Sequence, residues 1–101
     1  MTTVILTKRC SKSLRQVPKA VVAALLFWKQ QVEENGITTM QTVQTYRDHG
    51  LTGKLKAVGL RSISLSYGHR AYYRVLDGEI EVVQVEDVNN HDYKKIERLF
   101  R

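Results

Sequence analysis

The chain has one cysteine, Cys10, and one proline, Pro18, in 101 residues. A lone thiol excludes an internal disulfide and a cysteine metal cluster built within one chain, and it suits reducing surroundings. No stretch approaches the roughly 20 apolar residues that cross a bilayer, and the opening MTTVILTKRC lacks the long apolar run of a signal peptide. No membrane partner is expected, and the expected location is cytoplasmic. With no internal repeat, low-complexity tract or Pro/Gly-rich linker, residues 1–101 read as a single domain. The three histidines, His49, His69 and His91, form no helix-spaced pair, so no metal site is expected.

Acids are scarce where bases are plentiful. Residues 1–74 hold twelve Lys and Arg against three acids, about +9, whereas residues 75–101 hold four against seven, about −3. A surplus of that size attracts polyanions, of which nucleic acid is the commonest; the plain alternative is a charge that only keeps the domain soluble.

Element by element, Thr3 to Leu6 is a short β-branched strand, and SKSLRQVP offers a short helical turn or loop before Pro18. From Lys19 to Asn35, Val21, Leu25, Trp28 and Val32 recur at helical spacing, and Asn35-Gly36 closes the helix. Trp28 and its Val/Leu stripe belong to the core. Thr38 and Gln41 stand at capping-box spacing and predict a second short helix that fades by Arg47. RDHGLTGKLKAVG, residues 47–59, reads as an exposed basic loop, with Asp48-His49-Gly50 as a turn in it.

The second half alternates. RSISLSY, AYYRVL and EIEVVQVEDV predict a three-strand meander, with Asp77-Gly78 as a two-residue hairpin turn. That turn pairs Val75 with Ile80, Arg74 with Glu81, Tyr73 with Val82 and Tyr72 with Val83, and turns Tyr73, Val75, Ile80 and Val82 to the core. Arg70, Tyr72 and Arg74 then project from the opposite, open face. For Ile63 and Leu65 to join the core, the turn near Gly68 needs an odd number of residues, most simply Tyr67-Gly68-His69, which sets Ser62, Ser64 and Ser66 beside the arginines. Tyr93, Ile96 and Phe100 are spaced for a short terminal helix. The whole reads as an α+β sandwich, a mainly antiparallel four-stranded sheet with the N-terminal strand in it and helices on one face.

In this order of elements, LTGKLKAVGLRSISLSYGHRAYYRVLDG resembles a Leu-x-Gly loop followed by an Arg-x-hydrophobic strand and an (H/Y)R-x-x-Y strand. The closing VEDVNNHDYKK is similar to a V-x-x-V-x-(N/K)-H-(D/E)-Y ending. Together these resemble the RelE/ParE toxins of type II toxin–antitoxin modules, on its RelE-like, mRNA-cleaving branch. The resemblance implies an endoribonuclease that needs no metal or other cofactor and cuts mRNA, often on the ribosome. In that chemistry the 2′-OH attacks the neighbouring phosphate. One proton must leave, the phosphorane charge must be stabilised, and the 5′-oxygen must be protonated. The implied partners are mRNA, the ribosome and an acidic antitoxin that covers the site or displaces the terminal helix.

Residue by residue, Arg70 matches the arginine opening the middle strand, and its guanidinium suits a scissile phosphate; a cross-strand ion pair is the plain alternative. Arg74 points the same way, but Glu81 is its expected neighbour. His91 and Tyr93 match the terminal His-x-Tyr, and imidazole is the better proton-transfer group near neutrality. Against that, Asn90 can cap the last helix and Tyr93 can simply bury its ring, while Asp92 either suits the positive helix end or orients the imidazole. Lys54, Lys56 and Arg61 are candidates for phosphate contact without catalysis. Outward strand positions often held by lysine in the family are here Ser62 and Ser64. His69 is a secondary candidate in a turn. Two other readings remain open: a ParE-like toxin that acts on DNA gyrase, and an RNA-binding protein without catalysis.

Overall fold

The computed structural model describes residues 2–76 and 81–100. Five strands form one mixed sheet in the order β1-β5-β4-β3-β2. They are β1 (Thr2–Leu6), β2 (His49–Gly50), β3 (Arg61–Ser64), β4 (Arg70–Leu76) and β5 (Glu81–Asn89). Only β1 runs parallel to its neighbour, β5; the other pairings are antiparallel. The helices are α1 (Lys8–Leu14), α2 (Lys19–Asn35), α3 (Ile37–Met40), α4 (Lys54–Ala57) and α5 (Tyr93–Leu99). Among the described residues, no helix is long and apolar enough to cross a membrane.

The long helix forms where its apolar spacing predicts. Val21, Leu25, Trp28 and Val32 of α2 are fully buried, packed with Val4, Ile63, Ala71, Tyr73, Val83, Val85 and Val88 of the sheet. Each such side chain contributes about 1.5–3 kcal/mol. Gly36 ends α2 at φ +85°, a conformation open chiefly to glycine, and the chain turns at once into α3. That helix starts at Ile37 rather than Thr38, with no side-chain cap: burial of Ile37 and Met40 holds it instead of a capping box. Upstream, α1 begins at Lys8, ahead of the expected turn, because the Thr7 hydroxyl accepts from the Cys10 amide at 3.0 Å.

Two expectations about the sheet are corrected. Residues 47–59 are not one loop: His49 and Gly50 pair with Ser62 and Arg61 as a fifth strand, and α4 follows. Leu51, Leu55 and Leu60 of this region are buried with Tyr72 and Ile96 in a second apolar cluster, on which Tyr93 and Phe100 also pack. The second face of the sheet is therefore covered by α4 and α5, and Arg70 and Tyr72 are 8% and 0% exposed rather than open.

The register of β4 against β5 also differs. Val75 pairs with Val83, Arg74 with Gln84 and Tyr73 with Val85. A bulge follows, so that Tyr72 pairs with Asp87 and Arg70 with Asn89. The Asp77-Gly78 turn and Ile80 lie outside the described residues. The three-residue offset exchanges the faces of β5, so Val83 and Val85 reach the core in place of Val82. In β3 and β4 the odd turn does occur, displaced to Ser66–Gly68: Leu65 donates its amide to the His69 carbonyl at 2.8 Å, and Ser64 pairs with Arg70. A two-residue displacement preserves the faces, so Ile63 enters the core and Ser62 and Ser64 flank Arg70.

Candidate functional site

Arg70 opens β4, and the period of two puts its side chain on the face of Ser62 and Ser64. Its Nε donates to Ser62 Oγ at 2.5 Å, Nη1 donates to Ser64 Oγ at 2.7 Å, and Nη2 donates to the Arg47 carbonyl at 3.4 Å. These bonds use three of the five N–H groups of a guanidinium. Among the described residues no carboxylate pairs with it. A buried cation held only by hydroxyls and a carbonyl keeps its charge available to an incoming anion.

His49, read from sequence as part of a plain turn, stands beside that guanidinium: its Nδ1 is 3.5 Å from Arg70 Nη2 and 2.8 Å from the Arg47 carbonyl. A carbonyl only accepts, so Nδ1 carries the hydrogen, and in the neutral ring Nε2 holds the lone pair. Asp48 fixes this segment. Its fully buried carboxylate accepts from Arg61 Nε at 2.7 Å and from the Tyr73 hydroxyl. Burial works against the Arg61 charge, but the hydrogen bond and charge of Asp48 outweigh it and raise its pKa. Burial, with Asp48 adding to it, pushes the Tyr73 phenol up and keeps it neutral.

A cleft of about 320 Å³ opens here, lined by His49, Gly50, Leu51, Thr52, Leu55, Tyr93 and Glu97. Tyr93 enters from the far end of the chain. His91 packs edge-on against it, ring centroids 4.7 Å apart, and Tyr93 meets the buried Tyr72 at 6.1 Å. Asn89, 8% exposed, clamps the turn that carries His91. Its Oδ1 accepts from the Tyr72 hydroxyl at 3.0 Å and from the Asp92 amide at 2.8 Å, and its Nδ2 donates to the Asp92 carbonyl. Arg47 (φ 49°) and His91 (φ 57°) are the non-glycine residues of positive φ among those described; the Arg47 carbonyl meets His49, and the His91 ring meets Tyr93. Such strain, about 1–2 kcal/mol each, persists where surrounding bonds over-determine it.

Of these residues Tyr93 and His49 line the cleft, Arg70 lies behind it against His49, and His91 packs on Tyr93; His49 was read from sequence only as part of a turn. The DHG spacing between basic residues was the available signal, but it also fits a turn. Lys56 lines an adjoining groove with Gly50, Leu51, Thr52 and Arg61, and Lys54 is exposed on α4. Arg61 spends its Nε on Asp48. Arg74 stands apart: it pairs with Glu86 at 3.5 Å, not with Glu81, and lies over the Phe100 ring at 5.6 Å. Asp92, not Asn90, caps α5, accepting from the Lys95 amide at 3.0 Å. His69 ends the Ser66–Gly68 turn, half-buried. Among the described residues, no group of three or more His, Cys, Asp or Glu is placed to hold a metal ion.

No family model matches this chain, and no curated protein sequence does. Solved structures do match. YafQ from E. coli strain BL21(DE3) is 17% identical, with full coverage of both chains and a TM-score of 0.69. The RelBE2 toxin–antitoxin complex from Mycobacterium tuberculosis is 22% identical over 86% of this chain and 94% of that one, TM-score 0.61. HP0892 from Helicobacter pylori, a conserved hypothetical protein, is 26% identical over 90% and 96%, TM-score 0.57. The chain has the fold of the RelE-like toxins.

Proposed function

We propose that this protein is the toxin of a type II toxin–antitoxin module and acts as a metal-independent endoribonuclease on mRNA, at the ribosome. The observation that carries the reading is the Arg70 guanidinium, buried with no carboxylate partner among the described residues and next to His49, which lines a cleft together with Tyr93, the ring on which His91 packs. Its two remaining N–H groups suit two oxygens of a phosphodiester. In the phosphorane, charge grows on those oxygens, and a fixed guanidinium stabilises it most there. His49 Nε2 and the His91 imidazole are the groups able to take the 2′-OH proton and return one to the 5′-oxygen. Lys54 and Lys56 would hold flanking phosphates.

The partner follows from the fold's known company. RelBE2 is a toxin–antitoxin complex, and YafQ is known in one with DinJ. An acidic antitoxin suits a chain with this surplus of positive charge.

The test is expression under tight control with mapping of mRNA 5′ ends and of nucleoid state. Codon-phased cuts that Arg70→Ala or His91→Ala abolishes support the nuclease. Intact transcripts with damaged DNA would point to gyrase instead, and RNA retention without cutting to a binding protein.

A further inference from the structure

On the other flank of α5 from the cleft lies a second groove, of about 280 Å³, between α1 and α5. Arg9, Lys12, Ser13, Gln16, Lys95 and Leu99 line it. The sequence holds no acid before Glu33, and Lys8, Arg9, Lys12 and Arg15 all project from α1 and its end. Each is exposed, and among the described residues none of them pairs with a carboxylate. One acid sits behind the groove. Asp87 is 0% exposed, accepts from Ser13 Oγ at 2.5 Å and lies 3.4 Å from Lys95 Nζ, so it offsets part of the Lys95 charge and leaves Arg9 and Lys12 uncompensated.

Composition indicates what such a groove binds. Protein interfaces are depleted in lysine at their centres and rely on apolar or aromatic anchors. Among the described residues, the large exposed apolar side chains, Ile5, Leu26, Phe27 and Leu76, stand on other elements. Lysine and arginine among serine and glutamine are the usual contacts of a phosphate backbone. Position points the same way. Tyr93 and Glu97 of α5 line the cleft, Lys94 and Arg98 lie along the helix's exposed side, and Lys95 lines the groove. One helix, about 10 Å across, separates the two sites, a distance that a few nucleotides span.

We propose that the α1–α5 groove is a second RNA-backbone site, where Arg9 and Lys12, with Lys95, hold phosphates of the strand that leaves the cleft. It rests on the reading of the cleft as an RNA site. The groove supplies affinity and no chemistry, since phosphate contacts position a strand without reading it.

The experiment measures binding of two single-stranded RNAs, of about 24 and about six nucleotides, across a salt series. The proteins are the native chain, the double variant Arg9→Gln/Lys12→Gln, and Arg70→Ala. Both groove residues are exposed, so folding should persist; a charge-reversed pair, Arg9→Glu/Lys12→Glu, repeats the measurement. Loss of two phosphate contacts lowers the slope of log K against log salt by about 1.4 on the longer RNA, with little change on the shorter one. An unchanged slope on the longer RNA overturns the proposal. So does a double variant that loses binding to polyglutamate while keeping its RNA affinity, which would make the groove a site for an acidic protein. If the slope falls as expected but the native chain leaves transcripts uncut in cells, the nuclease reading fails and the groove stands.

Discussion

The carboxylate of Asp48 stands between the Tyr73 hydroxyl and the Arg61 guanidinium, and it is the fixed point from which His49 and the Arg47 carbonyl reach Arg70. Removing the arginine is the costlier change. Arg61→Met strands a charge in the interior and should cost about 3 kcal/mol. Asp48→Ala leaves Arg61, a third exposed, free to turn to water, and should cost about 1–3 kcal/mol. Urea midpoints of the two variants check the order; a reversed order would mean that Asp48 is not truly sequestered.

Arg70→Lys should fail to preserve cleavage although it preserves charge. A planar fork reaches Ser62, Ser64 and the Arg47 carbonyl and still presents donors to a phosphate; an ammonium is a point with three donors. A loss of roughly 100-fold or more is expected in single-turnover rate, with the melting temperature little changed. A lysine variant within threefold of the native rate would remove Arg70 from phosphate binding.

What could be read from the sequence follows from periodicity. The α2 stripe was legible because four apolar residues repeat over about three turns, and the Ser62–Arg70–Ser64 arrangement because a period of two fixes faces once turn parity is known. The β5 register was not legible: Leu76 already pairs with Val82, a three-residue offset that alternation does not announce, and the bulge at Tyr72/Tyr73 adds one more residue farther along. Nor was the closed second face. Leu51, Leu55 and Leu60 are spread through a glycine-rich stretch, and only the docking of Ile96 shows that they share a cluster. His49 was missed for a related reason: a two-residue strand leaves no pattern, and its value comes from Arg70, 21 positions away.

The terminal pair should divide its work unequally. His91→Ala removes an imidazole able to pass a proton and should lower the cleavage rate by about 10²–10⁴-fold. Tyr93→Phe keeps the ring that packs against His91 and Tyr72, so a loss of less than about tenfold is expected. Rates for both variants, measured on one mRNA, decide the point; a larger loss from Tyr93→Phe would transfer the proton role to the phenol.

A last prediction concerns alkaline pH. Cys10 is 0% exposed, and burial, reinforced by the nearby charges of Asp87 and Glu86, pushes its thiol from 9.0 up to about 12. The folded chain thus keeps the proton where the unfolded chain gives it up, so this group's stability is complete below about pH 9 and is lost as pH rises toward 12. Over those three units the loss approaches about 4 kcal/mol, at about 1.4 kcal/mol per unit. Tyr72 and Tyr73, also raised chiefly by burial, add a decline that begins near pH 10 and is common to native and Cys10→Ala proteins. The informative quantity is therefore their difference in unfolding free energy, measured in urea with reductant present. Small and constant at about pH 8, it should move in favour of Cys10→Ala by about 1 kcal/mol or more at about pH 10.5. A difference that stays flat would show that the thiol ionises without unfolding, and that α1 opens to solvent more readily than its packing indicates.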